Sequence, residues 1–107
     1  MEARSLARSL RRQRPQTASA DGPLVSLVVV NRDGEHRLRR LLDGLSRRTR
    51  YRSFEIVLVD NGSTDRSVEL VETWSGTTRI VRNAERESFS KANNRGIVAA
   101  RGDLVLL

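Results

Sequence analysis

The 107-residue chain contains no cysteine and no apolar run long enough to cross a membrane. Without cysteine neither a disulfide framework nor a thiolate metal site can form, which fits a reducing compartment. A spanning helix needs about 20 consecutive apolar residues, so none is predicted. The basic amino end also lacks the apolar core of a secretory signal, since Leu6 and Leu10 lie among arginines. These absences predict a cytoplasmic protein.

Aromatic residues are scarce, at 4% of the chain, while the net charge is +7. The positive charge is spread along the sequence and favours an anionic partner, which can be a nucleotide phosphate, a nucleic acid or a membrane surface. Binders of single-stranded nucleic acid interleave aromatic with basic residues, and this chain does not. Neither the glycine fingerprint of dinucleotide-binding folds nor a phosphate loop ending in Gly-Lys occurs. A specific nucleic-acid partner is therefore not expected.

Residues 1–22 are predicted to form a basic, disordered tail. They hold five arginines against two carboxylates, and Pro15 with the small polar residues after it ends any helix early. Leu6, Ala7 and Leu10 would form one apolar stripe among the arginines, an arrangement suited to an anionic bilayer. Disorder is the first expectation, and peripheral contact with the inner face of the cell membrane is the alternative.

Residues 23–107 alternate short β-branched runs with segments of helical periodicity. Leucines at 38, 41, 42 and 45 recur at the spacing of one helix face, with arginines on the other. The run before them is apolar on both faces, as in a strand buried between helix layers. The pattern predicts strands at 24–30, 54–59, 79–82 and 104–107 and helices at 35–48, 64–74 and 90–100. Connections of this length require parallel strands with right-handed crossovers. We therefore predict an α/β fold with a four-stranded parallel sheet and helices on both faces.

Polar clusters follow the first two predicted strands. Asn31, Arg32 and Asp33 follow the first, and the segment Asp60-Asn61-Gly62-Ser63-Thr64-Asp65 follows the second. Open α/β sheets bind ligands beyond the carboxyl ends of their strands, so a nucleotide site is predicted there. The simpler interpretation is a well-capped strand-to-helix turn. The last three residues of the second segment are expected to be mainly structural.

Together with the loop that runs from Asn83 to Gly96, these segments resemble the amino-terminal half of family 2 glycosyltransferases, nucleotide-sugar enzymes with the GT-A fold. The resemblance runs from about Pro23 to Leu107 through three ordered motifs, Val25–Asn31, Val59–Asp65 and Ser88–Gly96. It implies a Rossmann-like half domain with strand order 3-2-1-4. It also implies an inverting transferase of hexosyl or deoxyhexosyl type, with a glycan or lipid-linked acceptor in envelope or polysaccharide assembly.

The resemblance further implies roles for individual residues. The base of a nucleoside diphosphate sugar would donate hydrogen bonds to Asp60, whose carboxylate accepts N–H groups, and the loop from Asn31 to Asp33 would surround base and ribose. Many relatives have an aromatic at Arg32 and an amide at Asp33, so stacking and phosphate contact both stay open for Arg32. The implied nucleotide-sugar contacts are Asn31, Arg32, Asp33, Asp60, Asn61, Lys91, Asn93 and Asn94. The last three lie near a predicted helix start, where solvated or backbone-bonded side chains are the alternative.

Members of the family hold a divalent metal, Mg²⁺ or Mn²⁺, with an Asp-x-Asp-type motif after the fourth strand, and a later carboxylate acts as general base. Neither occurs before Leu107, and Asp103 precedes the last strand, so it would lie at the opposite edge. No catalytic residue and no metal ligand is assigned, and a fragment that binds nucleotide without transferring sugar is expected. Two alternatives stay open, a noncatalytic nucleotide- or nucleic-acid-binding module and a scaffold half that needs a partner chain.

Overall fold

The computed structural model describes residues 22–107, so the predicted tail lies outside the described residues apart from Gly22. The strands are β1 Val25–Asn31, β2 Phe54–Asp60, β3 Thr78–Arg82 and β4 Leu104–Leu106. The helices are α1 Glu35–Arg48, α2 Ser67–Glu72 and α3 Phe89–Ala99. Across this described part, no helix is both long enough and apolar enough to span a membrane.

The four strands are parallel and lie in the order β3-β2-β1-β4, which confirms the predicted sheet. β1 and β2 pair along their whole length, from Val25 opposite Phe54 to Asn31 opposite Asp60. Parallel strands in register end together, so their carboxyl ends form one rim of the sheet, here called the carboxyl edge. The opposite rim, where the strands begin, is called the amino edge.

Helices cover both faces of the sheet, as predicted. One core cluster joins α1 and α2 to the first face and consists of Leu38, Leu42, Ile56, Leu58, Val68 and Val71. The other joins α3 to the second face and consists of Val28, Val57, Val59, Ala92 and Val105. Consecutive residues of β2 from 56 to 59 therefore enter different cores, which explains why this stretch is continuously apolar rather than alternating.

The second helix is shorter than predicted, because α2 begins at Ser67 and not at Thr64. The Asp65 carboxylate lies at its start and accepts the Ser67 backbone N–H at 2.9 Å and the Ser67 hydroxyl at 2.5 Å. Ser63 and Thr64, the residues with the best capping chemistry, bond instead to the loop between β1 and α1. The chain turns into the helix three residues later because these groups are committed to a distant segment.

A buried carboxylate ties the amino edge together. Glu55 is 2% exposed, and it accepts hydrogen bonds from the Ser26 hydroxyl at 2.6 Å and from the Arg101 backbone N–H at 2.8 Å. The Arg79 guanidinium lies 3.8 Å from its other oxygen. Burial of a charge is costly unless partners surround it, and here the partners come from β1, β3 and the segment between α3 and β4. Glu55 thus links β2 to two neighbouring segments of the sheet and to the connection between α3 and β4.

Two helical glycines provide a matched test of this packing. A Cβ added at Gly96 in α3 would stand 2.3 Å from Val28 Cγ1 and 2.9 Å from Val59 Cγ2, whereas one added at Gly44 in α1 would meet nothing within 4 Å. We expect Gly96→Ala to lower the free energy of unfolding by about 1–3 kcal/mol through overpacking. Gly44→Ala should raise it by up to about 1 kcal/mol through helix propensity. Urea unfolding measures both, and a stabilising Gly96→Ala would contradict the close approach of α3 to the sheet.

Candidate nucleotide site

The candidate site lies at the carboxyl edge, where β1 and β2 end side by side in Asn31 and Asp60. Both residues are buried, since Asn31 is 7% exposed and Asp60 is 4% exposed. Asn31 Nδ2 donates to Asp60 Oδ1 at 3.4 Å and to the Ser63 hydroxyl oxygen at 3.2 Å. The register of the sheet therefore brings two predicted site residues into direct contact.

Ser63 is the centre of the hydrogen bonds at this edge. Its hydroxyl donates to Asp60 Oδ1 at 2.6 Å and accepts from the Asp33 backbone N–H at 2.8 Å. Its own backbone N–H donates to Asp60 Oδ2 at 3.0 Å. A carboxylate has about four acceptor positions, and Asp60 has three of them filled. The remaining position lies on Oδ2.

The two loops beyond β1 and β2 also cap each other's helices. Asp65 Oδ2 accepts the backbone N–H of Glu35, the first residue of α1, at 3.1 Å. Glu35 Oε1 in return accepts the backbone N–H of Arg66, which immediately precedes α2, at 3.3 Å. Carboxylates are favourable at helix starts because of the positive end of the helix dipole. Asp65, which follows β2, thus bonds to the start of α1, and Glu35, at the start of α1, bonds to the residue before α2. The two helix starts therefore hold each other in place.

Asp33 shapes the first of these loops. Its backbone is left-handed, with φ at 51°, a conformation that aspartate tolerates better than most residues. Its Oδ1 accepts the Thr64 backbone N–H at 2.7 Å, which joins the two loops again. The next residue is Gly34, where an added Cβ would stand 2.3 Å from Asn31 Oδ1. A side chain at this position would therefore clash with Asn31. Arg32 is exposed, and its guanidinium makes no hydrogen bond or ion pair with any residue from 22 to 107.

Asn61 joins the end of β2 to the loop formed by residues 83–88. Its Nδ2 donates to the Glu87 carbonyl at 2.9 Å, and its Oδ1 accepts from Asn83 Nδ2 at 3.0 Å and from the Glu87 backbone N–H at 3.1 Å. The Glu87 side chain pairs with Arg95 at 2.6 Å, and this guanidinium lowers the pKa of the carboxyl. Asn61 is 5% exposed, so most of its amide is committed to this loop. A nucleotide contact by Asn61 stays a prediction.

The start of α3 stands next to this loop and carries the other three predicted contacts. Ser88 caps the helix, since its hydroxyl oxygen accepts the Lys91 backbone N–H at 3.2 Å. Lys91 and Asn94 are exposed and Asn93 is half-buried. Their side chains form no hydrogen bond with Asp60 or its neighbours within the described range. The structure thus places them at the same edge as Asp60 without joining them to it.

The described residues do not fit the divalent metal that the resemblance implies. Between residues 22 and 107, no three or more histidine or acidic side chains are grouped as metal ligands. Asp103 lies at the amino edge, as expected from its position before β4, and its carboxylate accepts the Leu24 backbone N–H at 3.3 Å. No metal-dependent step is therefore assigned to this part of the chain.

Three residues outside the predicted contacts organise the site, namely Ser63, Glu35 and Asp65. The sequence offers a signal for Ser63, because a serine three residues after a strand-ending aspartate can return both its N–H and its hydroxyl to that carboxylate. It offers none for Glu35, whose partner Arg66 lies 31 residues away. Ser63 bonds directly to Asp60, and Asp65 bonds to the starts of both helices beside it. Both residues therefore have the structural role expected for them.

Comparison with known proteins assigns the fold and the family. Residues 25–107 match the family model described as glycosyl transferase family 2, so the chain belongs to this family. The mannosyltransferase PcManGT from Pyrobaculum calidifontis, solved in complex with GDP-Man and Mn²⁺, superposes with a TM-score of 0.69 at 23% identity, over 97% of this chain and 34% of that chain. This likeness, with the observed strand order, confirms the GT-A-like fold.

Curated relatives are much longer than the matched region. The uncharacterized glycosyltransferase EpsJ of Bacillus subtilis is 36% identical over 86 residues, and the O-antigen biosynthesis protein RfbC of Myxococcus xanthus is 37% identical over 87 residues. Each alignment covers 78% of this chain but only 24% of the first protein and 7% of the second. The chain therefore corresponds to one part of proteins of this kind.

The central position of Ser63 can be tested by removing its hydroxyl. We expect Ser63→Ala to lower the free energy of unfolding by about 1–3 kcal/mol, because the buried Asp60 carboxylate loses a partner that nothing replaces. Ser75→Ala is the control, since this exposed serine makes no side-chain hydrogen bond with the described residues. It should change stability by less than about 0.5 kcal/mol. Equal losses in urea unfolding would contradict the role of Ser63.

The link between the helix starts should depend on pH. The Ser67 hydroxyl is the largest cause that lowers the pKa of the Asp65 carboxyl below its ordinary value. Burial opposes it, and the backbone N–H groups of Ser67 and Glu35 lower the pKa further. A carboxyl with a lower pKa in the folded state stabilises the fold above the ordinary value, about pH 4, and that stabilisation is lost as the pH falls through the folded-state pKa. Asp65→Asn should therefore be less stable than the unchanged protein at neutral pH. The difference should narrow in acid, as measured by urea unfolding across pH, and a constant difference would contradict this assignment.

Proposed function

We propose that the chain forms the donor-nucleotide half of an inverting glycosyltransferase. The enzyme would transfer a hexosyl or deoxyhexosyl group from a nucleoside diphosphate sugar to a glycan or lipid-linked acceptor in envelope or polysaccharide assembly. The observation that carries the proposal is the contact between Asn31 and Asp60 at the carboxyl edge. The family match supports it, as do the O-antigen role in the name of the Myxococcus relative and the GDP-Man bound by the structural neighbour.

Asp60 is the proposed partner of the nucleotide base. Its carboxylate is fixed by Ser63 and Asn31, and one acceptor position on Oδ2 is left for an N–H group of the base. A hydrogen bond to a charged group in a site of low dielectric is stronger than the same bond in water. Asn31, Arg32 and Asp33 would surround the base and ribose, and the guanidinium of Arg32 would stack on the base or reach a phosphate.

The start of α3 is the proposed partner of the diphosphate. Backbone N–H groups at a helix start attract anions, and Lys91 adds a positive charge within the first turn. Asn93 and Asn94 supply amide donors one turn further on. The site would thus be polar along its length, with acceptors beyond β1 and β2 for the base and donors at α3 for the phosphates.

The activity proposed for these 107 residues is donor binding, and sugar transfer is proposed for longer proteins that contain a region of this kind. The described residues hold no metal-ligand cluster, and none of them is assigned as a general base. Divalent metal and acceptor would therefore bind outside residues 22–107 in such enzymes.

Calorimetric titration with UDP, GDP and dTDP tests the proposal. We expect one of these nucleotides to bind and Asp60→Asn to weaken its binding by about 10- to 100-fold, the range expected for one hydrogen bond to a charged group. Asp103→Asn makes the same chemical change at the amino edge and should leave binding as in the unchanged protein. Circular dichroism and urea unfolding must first show that both variants are folded.

Three other outcomes contradict the proposal. If the folded protein binds none of the three nucleotides, the carboxyl edge is not a nucleotide site. Salt-sensitive binding of any oligonucleotide, with no preference for a nucleoside diphosphate, favours a noncatalytic nucleic-acid-binding module. Self-association that no nucleotide alters favours a scaffold half that needs a partner chain.

A further inference from the structure

The net positive charge of the protein is concentrated at the amino edge. The segments at the carboxyl edge, 31–37, 60–66 and 82–91, hold six basic and six acidic residues, so they are neutral. The segments at the amino edge, 46–55, 73–79 and 100–104, hold six arginines and only two carboxylates. The rest of the described chain is balanced, with three charges of each sign. Within residues 22–107 the amino edge alone therefore carries a net charge, +4.

The amino-terminal segment joins the protein at this same edge. Residues 1–21 contain five arginines and two carboxylates, a net +3. The described chain begins at Gly22, where an added Cβ would stand 3.0 Å from the Tyr51 hydroxyl oxygen. That hydroxyl also donates to the Pro23 carbonyl. The whole net charge of +7 is therefore carried by the amino edge and the segment attached to it.

The amino edge also has a groove lined with aromatic residues, and Arg52 is part of its lining. Arg48, Arg50 and Arg52 are exposed and form no ion pair with any described residue. The groove has a volume of ≈ 400 Å³, and its lining includes Tyr51, Phe54 and Trp74, three of the four aromatic residues in the chain. Serine and threonine residues also line it. The face thus combines unpaired guanidinium groups with amphipathic aromatic rings.

We propose that the amino edge is the surface by which the protein docks on a bilayer that contains anionic phospholipids. Guanidinium groups match phosphate oxygens as paired donors, and basic residues near an anionic bilayer are drawn to its negative surface potential. Tyrosine and tryptophan favour the headgroup level, where one end of the ring is apolar and the other is wet. Leu6, Ala7 and Leu10 lie among arginines in the attached segment, a sequence pattern typical of helices that lie on bilayers.

The aromatic geometry favours a bilayer over single-stranded nucleic acid. Proteins that bind single-stranded nucleic acid have open aromatic ring faces on which the bases stack. Trp74 instead packs against Phe54, with ring centroids 6.0 Å apart at 45°, and its indole N–H donates to the Ser46 hydroxyl oxygen at 3.1 Å. The Tyr51 hydroxyl is likewise engaged, with Pro23. Because two of the three rings pack on each other, they do not form a row of open stacking platforms.

The proposal sets the orientation of the candidate nucleotide site. β1 and β2 have seven residues each, so they span roughly 20 Å from one edge of the sheet to the other. Docking through the amino edge turns the carboxyl edge toward the solvent, where a soluble nucleotide sugar reaches it. The surface and the site are separate, so the docking proposal does not depend on nucleotide binding.

Vesicle sedimentation with the full chain tests the proposal. We expect binding to vesicles of phosphatidylcholine with phosphatidylglycerol, weakened by salt, and little binding to phosphatidylcholine alone. Each arginine near such a surface contributes roughly fivefold to the affinity, so the triple variant Arg48→Gln, Arg50→Gln, Arg52→Gln should bind about a hundredfold more weakly. The matched control is Arg37→Gln, Arg40→Gln, Arg86→Gln, which removes three exposed, unpaired arginines away from the amino edge. Its binding should fall far less.

Trp74 supplies an independent measurement, because it is the single tryptophan of the chain and lines the groove. On vesicle binding its emission should shift to shorter wavelength and be quenched by brominated acyl chains. Vesicle binding with unchanged Trp74 emission would place the contact in the amino-terminal segment alone and overturn the docking surface. Equal losses in the two triple variants, or tighter binding to a single-stranded oligonucleotide than to anionic vesicles at the same salt, would also overturn it.

Discussion

The parallel pairing of β1 with β2 constrains the rest of this structure. It sets Asn31 opposite Asp60, so a carboxylate that is 4% exposed must find its partners in the loops that follow the two strands. An unpaired buried charge costs several kcal/mol. Ser63 meets this need with a hydroxyl and a backbone N–H. Because Ser63 also holds the Asp33 backbone, satisfying one charge fixes both loops and, through them, the starts of α1 and α2.

The strands and the first helix could be predicted to within a residue or so, because each has a continuous or periodic apolar pattern of its own. The start of α2 could not. Ser63 and Thr64 have good capping chemistry, and whether such groups cap the next helix or bond a distant loop depends on what the fold brings near them. Asn61 shows the same limit, since its amide serves Asn83 and Glu87 of a third loop. Short polar side chains bond to whichever backbone is close, and one sequence does not show which backbone that is.

The distribution of charge over the surface likewise depends on the fold and not on the sequence alone. Along the sequence the +7 looks evenly spread, and only the topology separates it. Parallel βα repeats send every strand start to one edge and every helix start to the other. The helix-to-strand connections of this chain are basic, and its strand-to-helix connections are balanced. The bilayer contact that we propose therefore involves the loop that contains Arg48, Arg50 and Arg52 as well as the tail.

The neutrality of the carboxyl edge bears on what that edge can bind. A strongly cationic edge would attract any polyanion, because such attraction is long-ranged and indifferent to shape. Here the carboxylates of Asp33, Glu35 and Asp65 are needed to hold the helix starts, and they offset the nearby cations. Attraction at this edge must then come from fixed groups at short range, namely the Asp60 carboxylate and the N–H groups at the start of α3. Such groups would favour a ligand with hydrogen-bond donors at one end and negative charge at the other, which is the chemistry of the nucleotide that we propose.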